Sequence, residues 1–393
     1  MRPRQPRRHS AAAIVASLLA LAAGQALVAL PAAAAPHAPA TATTVASAQD
    51  QVARSLARSL SDSTWRTRVQ QAALAADEVP ITALADRSGS GLTSELVRAD
   101  RQIAAAKGLD TDIGSLLRLR LGDDGMRDAL ADGQAPWVAP AASDDNATTV
   151  VAYDSRGRAH ALDARHTPDR PVYVVDIDSS KALAAGLGVL NRQLHHHGLA
   201  SDASASASAS ASASKTHADA AGKQGARAAA GGFWTTRIAA VELSDDEEPW
   251  VKGDAEIYTL VTGFGQDGKV RVDPVDMPYL DNDGTVYRPG QILVNWGNYK
   301  YNLADAVMME EDGSTNYRDL AKAIATVLLT VTDQGTYIPL VNAILDAIPN
   351  DWWTDDPDYV DSWYTLARND NGTRHGARGN GWMTLEPYFV EEF

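Results

Sequence analysis

A tract that cannot build a core divides this chain. Residues 201–214 contain alternating Ser and Ala, and Gly- and Ala-rich sequence follows up to Gly232. The alternation has the period of a strand, but side chains this small bury too little apolar area to offset the entropy of ordering. Residues 198–231 therefore read as a linker. A flexible chain of that length spans roughly 30–35 Å on average, so the flanking parts are expected to be tethered and need not dock.

The two sides differ in chemistry. Residues 233–393 hold 28 Asp and Glu against 11 Lys and Arg, a formal net of −17, whereas residues 1–232 hold 22 against 24. Seven of nine Trp, ten of twelve Tyr and all four Phe also fall after the linker. So acidic a unit repels phosphate backbones, which argues against a nucleic-acid partner. The chain has no cysteine, which excludes a disulfide framework, a thiol nucleophile and thiolate zinc sites.

Residues 1–35 have the layout of a signal peptide. Arg2, Arg4, Arg7 and Arg8 precede an apolar run from Ala11 to Leu30, and the small residues Ala32–Ala35 offer a cleavage site. The expected location is therefore secreted, with no transmembrane segment after cleavage. Residues 36–48, rich in Ala, Pro and Thr, read as disordered.

Residues 49–197 read as helices with a small β-sheet. Asp50–Ala76 is one helical pattern, with Asp50 as its N-cap. Leu92–Ala106 and Ile113–Leu121 are expected to add two more helices, and Met126–Ala131 a turn. At Thr148 the period changes. Thr149–Tyr153 and Ala159–Asp163 flank Ser155-Arg156-Gly157-Arg158 as a hairpin, and Pro171–Ile177 is a third strand. Lys181–Leu194 returns to helix and runs into His195-His196-His197, read as incidental. His160 and His166 read as polar strand-face residues.

Residues 232–393 show short β-like runs at Arg237–Leu243, Ala255–Thr262, Lys269–Asp273, Gln291–Trp296, Asp305–Glu310, Val360–Ala367 and Trp382–Phe389, with Val286-Tyr287 as an eighth. Turn residues separate them, the pattern of an antiparallel β-sandwich. The Ala255–Thr262 run alternates apolar residues on both faces and is expected to be covered on both. Tyr317–Val331 and Ile338–Ile348 have a helical period and form an insertion before the last strands. The fold class is therefore multi-domain α+β: a helical N-terminal region with a small sheet, then an acidic β-sandwich with a helical insertion.

Carboxylates collect between these strands, at Asp245-Asp246-Glu247-Glu248, Asp281-Asn282-Asp283-Gly284, Glu310-Glu311-Asp312-Gly313 and Asp355-Asp356-Pro357-Asp358. Calcium takes six to eight oxygen ligands, more than one ordinary loop supplies. The Asp281 run lacks the bidentate Glu of a helix-loop-helix calcium loop, because its twelfth position is Ile292. Several loops meeting at one end of a sandwich would meet the need. Each run also has a local reading: Asp281-Asn282-Asp283-Gly284 and Asn369-Asp370-Asn371-Gly372 are good turn sequences, with Asx bonding and Gly at positive φ.

Gly253-Asp254-Ala255-Glu256-Ile257-Tyr258, after an acidic loop, resembles the first loop of calcium-dependent membrane-binding sandwiches of the synaptotagmin and protein kinase C type. The resemblance implies a ligand role for Asp254. Asp355–Asp361 resembles their third loop and implies roles for Asp356 and Asp358. The helical insertion is foreign to that family, and basic residues are sparse. The layout of most of the mature chain, ending in Trp382 … Glu386-Pro387-Tyr388-Phe389, is similar to the bacterial family known as domain of unknown function 3103, which brings no known activity with it.

The expected site is thus a calcium site built from Asp245, Asp246, Asp254, Asp281, Asp283, Asp356 and Asp358. Trp250, Trp352 and Trp353 are the candidate contacts for an extracellular glycan, lipid surface or protein, whereas Trp296 and Trp363, within strands, read as core. A secreted hydrolase is the alternative, using Asp281/Asp283 or Glu310/Glu311 with His375 as base, although no Gly-x-Ser-x-Gly or His-Glu-x-x-His occurs and Ser362 with His375 makes no triad. A structural, envelope-associated protein is a third reading.

Overall fold

Leu117, Leu119 and Leu121 are buried and alternate with the half-buried Arg118 and Arg120, so this segment is a strand and not the expected third helix. It belongs to a computed structural model that describes residues 40–142, 147–201, 231–244, 250–252, 256–280, 282–311, 315–348 and 359–391. Among them are eight α-helices and three sheets, an α+β architecture.

The N-terminal sheet has six strands in the order β1 (Glu78–Pro80), β2 (Leu117–Leu121), β6 (Val172–Ile177), β3 (Trp137–Pro140), β4 (Thr149–Tyr153) and β5 (Ala159–Asp163). Only β3 and β6 run parallel. The β4–β5 hairpin and β6 lie where the alternation predicts them. Helix α1 (Ala40–Ser59) crosses β3 and β6 and packs on α4 (Thr93–Ala106). Two expectations change here. Residues 40–48 are helical and not disordered, because Val45 and Ala48 join the core. Asp50 therefore lies inside α1. A new helix, α2 (Ser63–Ala75), starts at Asp62, whose side chain accepts from Trp65 N at 2.9 Å. The short helices α3 (Ile81–Arg87) and α5 (Arg127–Ala131) complete this region with α6 (Ser179–His196).

The C-terminal half holds two four-stranded antiparallel sheets. The outer sheet runs β10 (Gln291–Asn295), β7 (Gly232–Leu243), β14 (Gly381–Glu391), β13 (Gly372–His375). The inner sheet runs β12 (Tyr359–Ala367), β11 (Leu303–Glu311), β8 (Glu256–Phe264), β9 (Val270–Asp276). One buried cluster joins their facing sides: Ile238, Val241, Met383 and Leu385 with Ile257, Val261, Ala306, Met308 and Trp363. Trp296 and Trp363 are buried in this layer as expected, although Trp296 opens a 3-10 turn just after β10 and only Trp363 lies within a strand.

The other face of the inner sheet is also covered, and β8 is buried at every residue. Tyr258, Leu260, Phe264, Val307 and Met309 merge there with α6, α7 (Tyr317–Leu328), α8 (Val341–Ala347) and the N-terminal sheet in a single larger core. The two halves are therefore packed together and not merely tethered. The stretch expected to begin the linker takes part: Leu199 is buried, its carbonyl accepts from Val272 N at 2.7 Å, and Ser201 N donates to Asp273 at 3.2 Å. Residues 202–230, like residues 1–39, lie outside the described residues. No helix among those described is long and apolar enough to cross a membrane.

Candidate cation-binding end of the inner sheet

Strand register decides where the acidic stretches leave the fold. The first residue of β8, Glu256, is the register partner of the last residue of β11, Glu311. The first residue of β12, Tyr359, pairs with Met309, and the last residue of β9, Asp276, pairs with Tyr258. These four strand ends lie at one end of the inner sheet, Asp276 and Tyr359 in the row of Tyr258 and Met309, and the Glu256–Glu311 pair two residues beyond it. They bracket all four acidic stretches: the one before β8, the one after β9, the one after β11 and the one before β12. The outer sheet ends beside them. The carbonyl of Leu243, last in β7, accepts from Gly284 N at 2.8 Å, and Tyr287 bridges to Val241.

Of the seven carboxylates chosen from sequence, Asp283 is described. It lies exposed in a turn closed by Gly284 at φ 60°, with Asn282 Nδ2 donating to Tyr287 OH at 3.2 Å. Asp245, Asp246, Asp254, Asp281, Asp356 and Asp358 lie outside the described residues, as do Trp352 and Trp353. Among the described residues no three metal-capable side chains are gathered into one group.

Directly opposite residues of antiparallel strands share a face. Glu256, Glu311 and Asp276 all face the helices. Glu256 sits at the N-terminus of α6, where Ser179 and Ser180 donate to Oε1 at 2.9 and 2.6 Å. The positive end of the helix dipole favours a carboxylate there. Glu311 is buried against Lys107 Nζ and accepts from Tyr317 OH. Asp276 differs from both, because its buried Oδ1 has no hydrogen-bond partner and, unlike Glu311 Oε1, no ammonium beside it. Burial pushes its carboxyl up from the usual range, although the Met277 amide opposes this. Tyr279 nearby is also pushed up, first by burial and then by the charge of Asp276.

A further carboxylate near this end is fully consumed. Asp361 is buried and accepts from the backbone amides of Ser362, Arg378, Asn380 and Gly381 at 2.7–3.0 Å, which pins the β13–β14 connection to the inner sheet.

The residues of the hydrolase reading separate. Glu310 shares the outer-sheet face of β11 with its neighbour Ile257, whereas Glu311 faces the helices. Ser362 hydrogen-bonds with Tyr359 OH at 2.8 Å, and His375 lies exposed on β13. Of the other histidines, His160 stacks on Trp137 and contacts Asp154, and His166 contacts Asp163.

Trp250 turns toward the N-terminal sheet. Its ring covers Gly122, where a methyl group would lie 2.6 Å away, and its Nε1 donates to Asp163 O at 3.1 Å. Arg120 holds the same segment, donating to Trp250 O at 3.3 Å, Val251 O at 2.9 Å and Lys252 O while its Nε reaches Asp176 at 3.0 Å. The Leu-Arg-Leu-Arg-Leu alternation was the available signal for Arg120. Read as a strand, it sends both arginines to the face opposite the core.

Searches among curated proteins and among solved structures returned no match. A family model described as "Protein of unknown function (DUF3103)" matches residues 42–392, nearly the whole described chain, and the chain belongs to that family.

Proposed function

We propose that this is an exported calcium-binding β-sandwich module, whose acidic end binds one or more divalent ions and presents a surface to an extracellular ligand. The reading rests on the register that brings the strand ends at Glu256, Glu311, Tyr359 and Asp276 to one end of the inner sheet. Strand ends gathered at one end of a sheet bring the chains that continue from them within reach of one ion. Calcium needs that many contributors, since its six to eight oxygens exceed what any one of these turns carries.

The fit of the group is favoured by Asp276. A buried carboxylate oxygen without a donor is costly unless a cation or water satisfies it. Asp245, Asp246, Asp254, Asp281, Asp283, Asp356 and Asp358 would hold the ion, which would neutralise carboxylates that otherwise repel one another. The likeness to synaptotagmin-type sandwiches at Asp254, Asp356 and Asp358 belongs to the same proposal. The secreted location rests on residues 1–35. Trp352 and Trp353 remain the proposed ligand contacts, whereas the packing of Trp250 on Gly122 assigns that indole to the fold.

Thermal melting of the full mature chain in calcium against chelator tests the reading. An ion that binds only the native state at about a hundred times its Kd adds about 2.7 kcal/mol, a rise of several degrees. Equal melting temperatures in the two buffers at millimolar calcium would remove the proposal.

A further inference from the structure

We propose that Lys107 and Glu311 condense into an isopeptide bond that joins the two halves of the chain covalently. Lys107 follows α4 in the N-terminal half, and Glu311 ends β11 in the C-terminal half. Their side chains are 0% and 1% exposed and in contact. Three flanking hydrogen bonds hold the backbones on either side of the pair. Tyr317 N donates to Lys107 O at 3.1 Å, Asn316 Nδ2 to Ala106 O at 2.6 Å, and Arg318 Nε to Gly108 O at 2.7 Å. Two reacting groups fixed in contact have an effective concentration far above any bimolecular value.

The surrounding groups match the needs of the step. Within the pair one proton passes from the ammonium to the carboxylate, leaving a neutral amine and a carboxylic acid. Nζ attacks Cδ of Glu311 and the N–C bond forms. Tyr317 OH already donates to Oε2, the oxygen that gathers charge in the tetrahedral intermediate and remains as the amide oxygen. Nζ passes a proton to the other Glu311 oxygen, which leaves as water when its bond to Cδ breaks. The products are one amide and one water, and no oxidant or further reactant is required. The amide is neutral, so the reaction abolishes two buried charges whose desolvation an ion pair only partly offsets. A chain without cysteine would gain from it the covalent restraint that disulfides supply elsewhere.

The test is peptide mapping with intact mass on the purified, denatured full chain. The expected result is a mass lower by one water than the sequence of the isolated chain requires, no tryptic cut after Lys107, and a branched peptide joining Lys107 to Glu311. Lys107→Arg keeps the ion pair but forms no amide, and should restore the full mass. A full-mass wild-type chain would overturn the proposal, and so would a water loss that maps to a succinimide at Asp283-Gly284 or another Asp-Gly pair. The wild-type map decides even if the variant fails to fold.

Discussion

Replacing Asp361 by Asn exchanges one oxygen for an NH2 group and leaves no cavity, so it isolates what this carboxylate does. Oδ1 accepts from Ser362 N at 2.8 Å and Arg378 N at 2.7 Å, and Oδ2 accepts from Asn380 N at 2.9 Å and Gly381 N at 3.0 Å. A carboxylate can serve both pairs, whereas an amide serves one and turns its NH2 toward the other. Two backbone donors then lose an acceptor and face a donor. Each orphaned buried donor costs about 1–3 kcal/mol, and because Asn380 is only partly buried a total of about 3 kcal/mol is expected for Asp361→Asn. The side chain cannot retreat, because the Cα of Gly376 packs against it so closely that a methyl there would lie 2.1 Å from the carboxyl group. At a urea m-value near 2 kcal/mol/M, the midpoint should fall by about 1.5 M. Hydrogen exchange should accelerate most at Asn380 and Gly381. A midpoint shift equivalent to less than about 0.5 kcal/mol, the range of neutral surface changes, would refute the reasoning.

Three other outcomes follow from the same geometry. Gly122→Ala should displace the Trp250 ring and cost about 1–3 kcal/mol by overpacking, read as a lower urea midpoint; an unchanged midpoint would mean that the indole does not rest there. Arg120→Ala should free the 250–252 segment by removing its donors to three carbonyls, and cleavage after Lys252 in limited trypsin digestion should rise at least tenfold while unaltered cleavage contradicts the clamp. Lys300 first, then Tyr301 and the Gly335 amide, hold the Asp333 carboxyl down at about 2. Its folded value lies below its unfolded one, so its contribution is full above about pH 4 and is lost as pH falls through about 2. Asp333→Asn should therefore flatten the melting temperature between those limits, and a parallel acid arm in the variant would count against the assignment.

The parts legible in the sequence are those with a local period. The double-sided alternation of Ile257–Thr262 marks a strand buried on both faces, and β8 is one. Leu320, Ile324 and Leu328 mark α7, and Asn316 caps it by accepting from Arg318 N and Asp319 N. Ile113, Leu116 and Leu117 fit a helical stripe as well as a strand. There the strand prevails because Arg118 and Arg120 find Asp178 and Asp176 on the polar face. The four residues of β13 carry no apolar alternation, so an edge strand paired only to β14 left no signal. Long-range pairing was the least readable. Nothing near Lys107 points to Glu311, and nothing in the Ser-Ala tract shows that the chain on either side of it shares a core. For the candidate site, residue types and loop positions were legible from composition and turn chemistry. That their strand ends share one end of a sheet is a property of register, and Asp276, a lone Asp after a strand, became visible only through its unpartnered oxygen.

Equilibrium dialysis of the full mature chain against radioactive calcium bears most directly on the proposed site. The account predicts saturable binding of at least one ion per chain below about 1 mM free calcium. It also predicts loss of that binding in the combined Asp254→Asn, Asp281→Asn and Asp356→Asn variant, with the fold retained by circular dichroism. A wild-type chain that binds no calcium at that concentration, or a triple variant that binds as much as wild type, would contradict it.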